Sequence, residues 1–283
     1  MKTLLNLKKD LEFNRGLSVL IETLKTIAVT QYRILEHKIR TFKEFLFNIE
    51  SFFEILEINR IEHPFLKPND LSPAVVAITS DTGLLGGLNM QVIAYALSEL
   101  EKKPGKLIVI GERGKMYASE SKVPFVAFGG IRDEQRYGQA MQLRDYCVQK
   151  ILDGSFGALK VVYPRPVSFT VQHVEIAQFI PFLPGEKKES TDGAQAPEVI
   201  LESKIEDIIE YLIYIWMGQK FYEIFGLSLL AEFAARFVHL EESSQKLKEM
   251  DNKTRLEYFR VRHELIDRNM RELFAARLLY ASR

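Results

Sequence analysis

The chain has 283 residues, 47% of them apolar and 27% charged, enough for about two domains and proportions that exclude wholesale disorder. Lys plus Arg matches Asp plus Glu at 38 each, so no net charge marks a nucleic-acid binder, and one cysteine, Cys147, excludes a disulfide framework or cysteine metal site and suits a reducing compartment. No run of ~18 uncharged apolar residues predicts a membrane span, and Lys2, Lys8 and Lys9 interrupt any secretory pattern at the start.

All 10 prolines lie between Pro64 and Pro197, and 13 of the 16 glycines between Gly83 and Gly193. Proline breaks helices at ~3 kcal/mol, so both ends are free to form long helices and the middle is built of turns and strands. The distribution predicts an N-terminal coiled-coil helix within 1–62, a central Rossmann-like α/β domain over 72–185, a flexible connector over 186–199 and a C-terminal coiled-coil helix within 200–283. The first helix is expected over residues 3–56, on the order of 80 Å. Ile21, Ala28, Leu35, Phe42, Ile49 and Leu56 recur every seven residues, the repeat of a left-handed supercoil. Leu17, Leu24, Gln31, Lys38, Phe45 and Phe52 accompany them, polar at Gln31 and Lys38.

Within the middle, 74–79 reads as a strand followed by a glycine-rich turn, then a helix over 89–100. Residues 107–110 read as a second strand ending in the turn 111–114, and 124–128 as a third. A helix over 140–152, a strand over 159–163 and a fifth strand within 171–182 complete a parallel or mostly parallel sheet with helices on its faces. The last helix is expected over 203–280. Tyr222, Phe225, Leu229, Phe233, Phe237 and Leu240 form its stripe, and Trp216 reads as core. The two terminal helices are expected to pair as a long antiparallel coiled coil, with an intermolecular coiled coil as the other arrangement.

The residues offer no catalytic constellation. The turn Gly83-Leu84-Leu85-Gly86-Gly87 lacks the Gly-x-Gly-x-x-Gly spacing of a dinucleotide site, and Gly111-Glu112-Arg113-Gly114-Lys115 lacks the spacer and hydroxyl of a P-loop. None of the five histidines pair at metal-ligand spacing, and no histidine serves Ser80 and Asp81 as a base. The expectation is therefore no catalytic residue, no cofactor, no metal and no nucleic acid.

Residues 78–89, Ile-Thr-Ser-Asp-Thr-Gly-Leu-Leu-Gly-Gly-Leu-Asn, resemble the signature turn of the gamma subunit of F-type ATP synthases, usually Ser-Asp, a basic residue, Gly-Leu, a small residue and Gly-Gly-Leu-Asn. Residues 110–114 resemble that family's second strand-turn, and 231–237 its Ser-Glu-x-Ala-Ala-Arg-Met. Residues 258–263 fall on its Tyr-Asn-Lys-Ala-Arg-Gln. The order helix, α/β, helix is kept along nearly the whole chain. Departures are specific: Glu22 stands at a basic position, Leu24 at a methionine, and 242–245, Glu-Ser-Ser-Gln, at Ala-Thr-Asp-Asn.

The resemblance implies a non-catalytic central-stalk rotor that couples rotation of a membrane c-ring to ATP synthesis or hydrolysis in a ring of alpha and beta subunits. The partners implied are alpha, beta, epsilon and the c-ring, with peripheral attachment at the cytoplasmic side of a cell inner membrane. By resemblance, Leu24, Thr26, Ile27, Arg33, Arg260, Arg262, His263 and Ile266 meet the ring. Ser80, Asp81, Gly83, Gly86, Gly87, Leu88 and Asn89 form the signature turn at the foot of the stalk. From Arg255 to Arg283 seven arginines face four acids, a net of +3, which suits the acidic beta-subunit loops the family's axle meets and equally a solvated helix face. A coiled-coil scaffold with an α/β head, a divergent rotor paralogue and a nucleotide-binding enzyme using the turn at 83–89 stand as alternatives.

Overall fold

The computed structural model describes residues 3–39, 49, 52–53, 61–67, 71–182 and 203–281. The helix expected to reach residue 56 is described as α1 (Leu4–Ile39) and as helical residues 49, 52 and 53. Its remaining stretches, with Phe42, Phe45 and Leu56, and the connector over 186–199 lie outside the described residues. The chain divides into two compact units, Met1–Ala28 with Phe237–Arg283, and Val29–Arg236.

The first unit is a helix pair, α1 against the later part of a single helix of 77 residues at the C-terminal end (Ile205–Ala281). Leu7, Asn14, Ile21 and Ala28 are its buried α1 positions, one every seven residues. Ile21 packs with Leu240 and Leu247, and with half-buried Leu17 and Leu24. Three cross-helix contacts set the direction: Lys25 with Glu241, Glu22 with Ser244, and Asn14 with Asp251. As the α1 number falls the other rises, so the pair is antiparallel.

Asn14 is 8% exposed, and its Nδ2 reaches Asp251 Oδ1 at a long 3.5 Å. A polar residue at a seam position lowers stability and specifies register. Asn14→Ile is therefore expected to raise the thermal midpoint of the full chain by roughly 2–4 °C, read by circular dichroism; a lowered midpoint would show that the Asp251 contact outweighs the apolar gain.

The second unit holds a five-stranded sheet in the order β3-β2-β1-β4-β5. Its elements are β1 (Pro73–Ile78), α2 (Leu88–Lys102), β2 (Lys106–Ile110), α3 (Glu112–Glu120), β3 (Phe125–Phe128), α4 (Arg136–Leu152), β4 (Ala158–Pro166) and β5 (Gln172–Ile180), and the C-terminal helix is α5. Strands β1 to β4 are parallel and β5 returns antiparallel on β4. The central strands are apolar on both faces, as a sheet covered on both sides requires. Val75, Ala77, Leu107 and Val109 pack under α2 through Val92, Ile93 and Ala96. Val76, Ile78, Ile108 and Val161 face α4 and α5, where Trp216, Phe221 and Phe225 are buried. Trp216 is core as expected, edge-on to Phe182 at 4.8 Å. The first residues of α5 are thus a layer of the domain core. The stretch after β2, read from the sequence as a turn, opens α3: Gly111, which has no side chain to serve as its own cap, precedes a nine-residue helix.

Candidate functional site

Several buried polar contacts gather at the glycine turn between β1 and α2, in the second unit. The parallel strands end together there, so their terminal carbonyls and the amides of the following loops converge. Asp81 Oδ1 accepts the backbone N–H of Glu112 at 3.0 Å and of Gly130 at 3.0 Å. One carboxylate thereby joins the ends of β1, β2 and β3. It also occupies the first amide of α3, the position an anionic ligand would use. Thr79 Oγ1 donates to the Ile110 carbonyl and accepts Gly114 N–H at 3.0 Å.

Ser80 N–H donates to Asn89 Oδ1 at 3.2 Å, Asn89 Nδ2 donates to Ser80 Oγ at 2.8 Å, and Ser80 Oγ donates to the Thr82 carbonyl at 2.6 Å. The turn is closed on itself from both ends. Gly86 takes φ +60°, and Leu84 takes φ +66°, a left-handed conformation that only glycine adopts at no cost. A Cβ on Gly83 would lie 3.2 Å from Arg113 Nη2, so that glycine makes room for the guanidinium. Gly87 leads into α2, and Leu88 and Leu85 pack with Ala235 of α5 and half-buried Val174.

The turn's outer partner is α5. Thr82 Oγ1 donates to Glu232 Oε1 at 3.3 Å, and Arg236 Nη2 donates both to Thr82 Oγ1 at 2.6 Å and to Glu232 Oε1. Burial pushes the Glu232 carboxyl above its ordinary value, against the pull of Arg236 and Thr82 and with the Asp81 charge adding to the rise. Thr82 stands where the resemblance carries a basic residue, so a hydroxyl here does the bridging. Glu232, Arg236 and Thr82 were not picked out as a group from the sequence. Glu and Arg four apart on one helix were the available signal; the turn that receives them is 150 residues away.

A raised carboxyl value has a definite sign in stability. Folding takes up a proton at Glu232, so its contribution is greatest below the ordinary value of 4.5 and is lost as pH rises through the folded value. Glu22, Glu99 and Glu241 have the opposite sign, each held down by lysine: Lys25, Lys102 with Lys160, and Lys25. Their contribution is lost as pH falls below 4.5. Glu232→Gln should remove the upper limb alone. Thermal midpoints measured upward from the ordinary carboxylate range should fall less steeply in the variant, and parallel curves for the two proteins would refute the assignment.

The residues expected to meet a ring are placed differently. Leu24 is half-buried in the helix seam. Thr26 is exposed, with Oγ1 on the Glu22 carbonyl at 2.9 Å, and Ile27 is 47% exposed. Arg33 is exposed on the stretch of α1 in the second unit. Arg262, His263 and Ile266 are exposed on α5, with Arg260, whose Nε meets Glu264 at 3.2 Å. The antiparallel register sets Leu24 beside residues near 241, so the α1 and α5 groups are not brought together. The helix stretch 262–277 is exposed throughout. Among the described residues no helix is long and apolar enough to cross a membrane.

The family model described as ATP synthase matches residues 4–277. The chain is 30% identical over 220 residues to the ATP synthase gamma chain of Symbiobacterium thermophilum, covering 75% of each. It is 23% identical over 277 residues to that of Clostridium perfringens, covering 95% of each. Its fold is similar to a chain in the cryo-EM structure of the Euglena gracilis mitochondrial ATP synthase OSCP/F1/c-ring, with a TM-score of 0.69, 17% identity, and 96% and 93% of the two chains covered. A chain of the Tetrahymena thermophila mitochondrial central stalk and c-ring matches with a TM-score of 0.61, 14% identity, and 80% and 99% coverage.

Proposed function

We propose, from the premise that this chain belongs to the gamma-chain family of ATP synthases and is the central-stalk gamma subunit of an F-type enzyme, that it carries rotation between a c-ring and a ring of alpha and beta subunits. The α/β domain takes the c-ring and an epsilon subunit, and the paired helices take the alpha–beta ring. The subunit belongs to a membrane-associated complex, here assigned to the cytoplasmic side of a cell inner membrane. The scaffold and nucleotide-enzyme readings are not favoured by relatives of this kind.

The observation that carries the proposal is α5. One helix supplies buried core residues to the sheet unit, including Trp216 and Phe221, and seam residues to the helix pair, including Leu240 and Leu247. The helix is continuous in sequence and in backbone hydrogen bonding from Ile205 to Ala281, so a twist applied to the domain has a path along it. The Thr82–Glu232–Arg236 contact holds the glycine turn to that rod. Such a part does no bond-making. It acts by offering alternative faces to partners in different conformations, and a face that meets two states equally shifts neither.

The test is stoichiometry. Purified from its native membrane through a tag on this chain, the complex should contain one copy of it per three alpha–beta pairs, together with epsilon and c subunits. Recovery of a discrete homo-oligomer free of alpha and beta would refute the assignment.

A further inference from the structure

Beneath the glycine turn lies a small internal space of about 10 Å³, bordered by Ser80 and Asn89 on one side and by Ser228 and Glu232 of α5 on the other. Ser228 is 4% exposed. Its Oγ is fully buried and has no hydrogen-bonding partner among the described residues. A buried hydroxyl left in that condition carries its full desolvation cost, yet this one stands one helical turn from Glu232 and borders the same space. The other polar walls have unspent capacity. Asn89 uses Nδ2 on Ser80 Oγ, and an amide nitrogen has a second hydrogen to give. The space matches one water, which needs ~10–15 Å³ of this measure and two to four polar partners.

We propose that a single water molecule is an integral part of the joint between the glycine turn and α5. It accepts the Ser228 hydroxyl hydrogen and the remaining Asn89 amide hydrogen, and gives one of its own hydrogens to the Glu232 carboxylate. The joint then has two bridges of different kinds: the direct one through Thr82 and Arg236 at its rim, and a hydrated one inside. The inference concerns the fold's interior and stands whether or not the proposed partners are the right ones.

Two measurements test it. A crystal structure of the full chain, or a cryo-EM map of the assembled complex that resolves ordered solvent, should show one peak at about 2.7–3.2 Å from Ser228 Oγ, also within reach of Asn89 Nδ2. No peak there, or Ser228 Oγ turned onto the Ile224 carbonyl, overturns the proposal. Ser228→Ala supplies the second reading through its sign. If the hydroxyl is bridged, its removal lowers the thermal midpoint of the full chain by roughly 2–4 °C. If it is an orphan, its removal relieves a buried polar group and the midpoint stays or rises, which would also overturn the proposal.

Discussion

Gly111→Ala is expected to destabilise the full chain by at least about 3 kcal/mol. Two independent causes add. Gly111 holds φ +97°, a region costly to any residue with a Cβ. An added Cβ would also stand 2.5 Å from the Thr79 carbonyl oxygen. That obstacle is backbone, fixed by the Thr79 N–H bond to Ile110 at 2.9 Å, so no rotamer change relieves it. Moving Gly111 instead would break its N–H bond to the Phe128 carbonyl at 3.1 Å and displace Glu112 from Asp81. Gly138→Ala is the control. Nothing lies within 4 Å of its added Cβ, and in the first turn of α4 alanine should gain up to about 0.5 kcal/mol. Urea unfolding of the two variants should move in opposite directions; equal small losses would mean that the turn yields more readily than its contacts indicate.

The contrast between these two glycines also marks what a sequence makes legible. Proline and glycine placement separated rods from domain, because helix interruption is a local property of the residue concerned. The seven-residue repeat was equally legible: Ile21, Ala28 and Leu35 are all buried. The repeat was followed only from Ile21, since Asn14 is polar, yet Asn14 and Leu7 continue the same buried line. Helix α3 leaves little periodic signal because Glu112–Glu120 is short and polar, and only Gly114 and Ala118 are buried. The antiparallel direction of β5 left no mark in its composition. The joint at Thr82, Glu232 and Arg236 depends on a long-range meeting that no local pattern announces.

Two of the departures from the resemblance change meaning once they are placed. Glu22 and Ser244 stand where a basic residue and an aspartate are usual. Read along the sequence, each weakens the case for contact with a catalytic ring. In the helix pair they face one another, Ser244 Oγ donating to Glu22 Oε1 at 3.1 Å, while Lys25 lies between Glu22 and Glu241. Buried Ser244 thus pairs within the helix pair, while the Glu22 side chain stays 51% exposed. A hydroxyl–carboxylate contact joins the two positions here, and the nearby positive charge is Lys25, whose ammonium the Glu241 carboxylate holds above its ordinary value.

Removal of the residues after Val261 is expected to leave the folding midpoint of the chain within about 1–2 °C while reducing ATP-driven ion pumping of the assembled complex by roughly tenfold or more. The folding half rests on exposure. Ile266, Met270, Leu273 and Phe274 are 44–67% exposed, so their deletion withdraws little packing. The coupling half rests on what those side chains offer to the proposed ring. A tenfold shift between two ring states needs only ~1.4 kcal/mol of unequal contact, less than the ~1.5–3 kcal/mol from burying one large apolar side chain. Arg260→Glu with Arg262→Glu is the finer version, taking the stretch after 254 from +3 to −1. It breaks the exposed Arg260–Glu264 pair and sets like charges four apart, a cost of about 0.2–0.5 kcal/mol to the helix, so folding should hold. Pumping should weaken by a smaller factor that shrinks in high salt, as an exposed charge contact must. Unchanged pumping in the double reversal would assign those arginines to solvent and leave the apolar side chains as the whole of the contact. Unchanged pumping in the truncated chain would remove this end of α5 from the coupling path altogether.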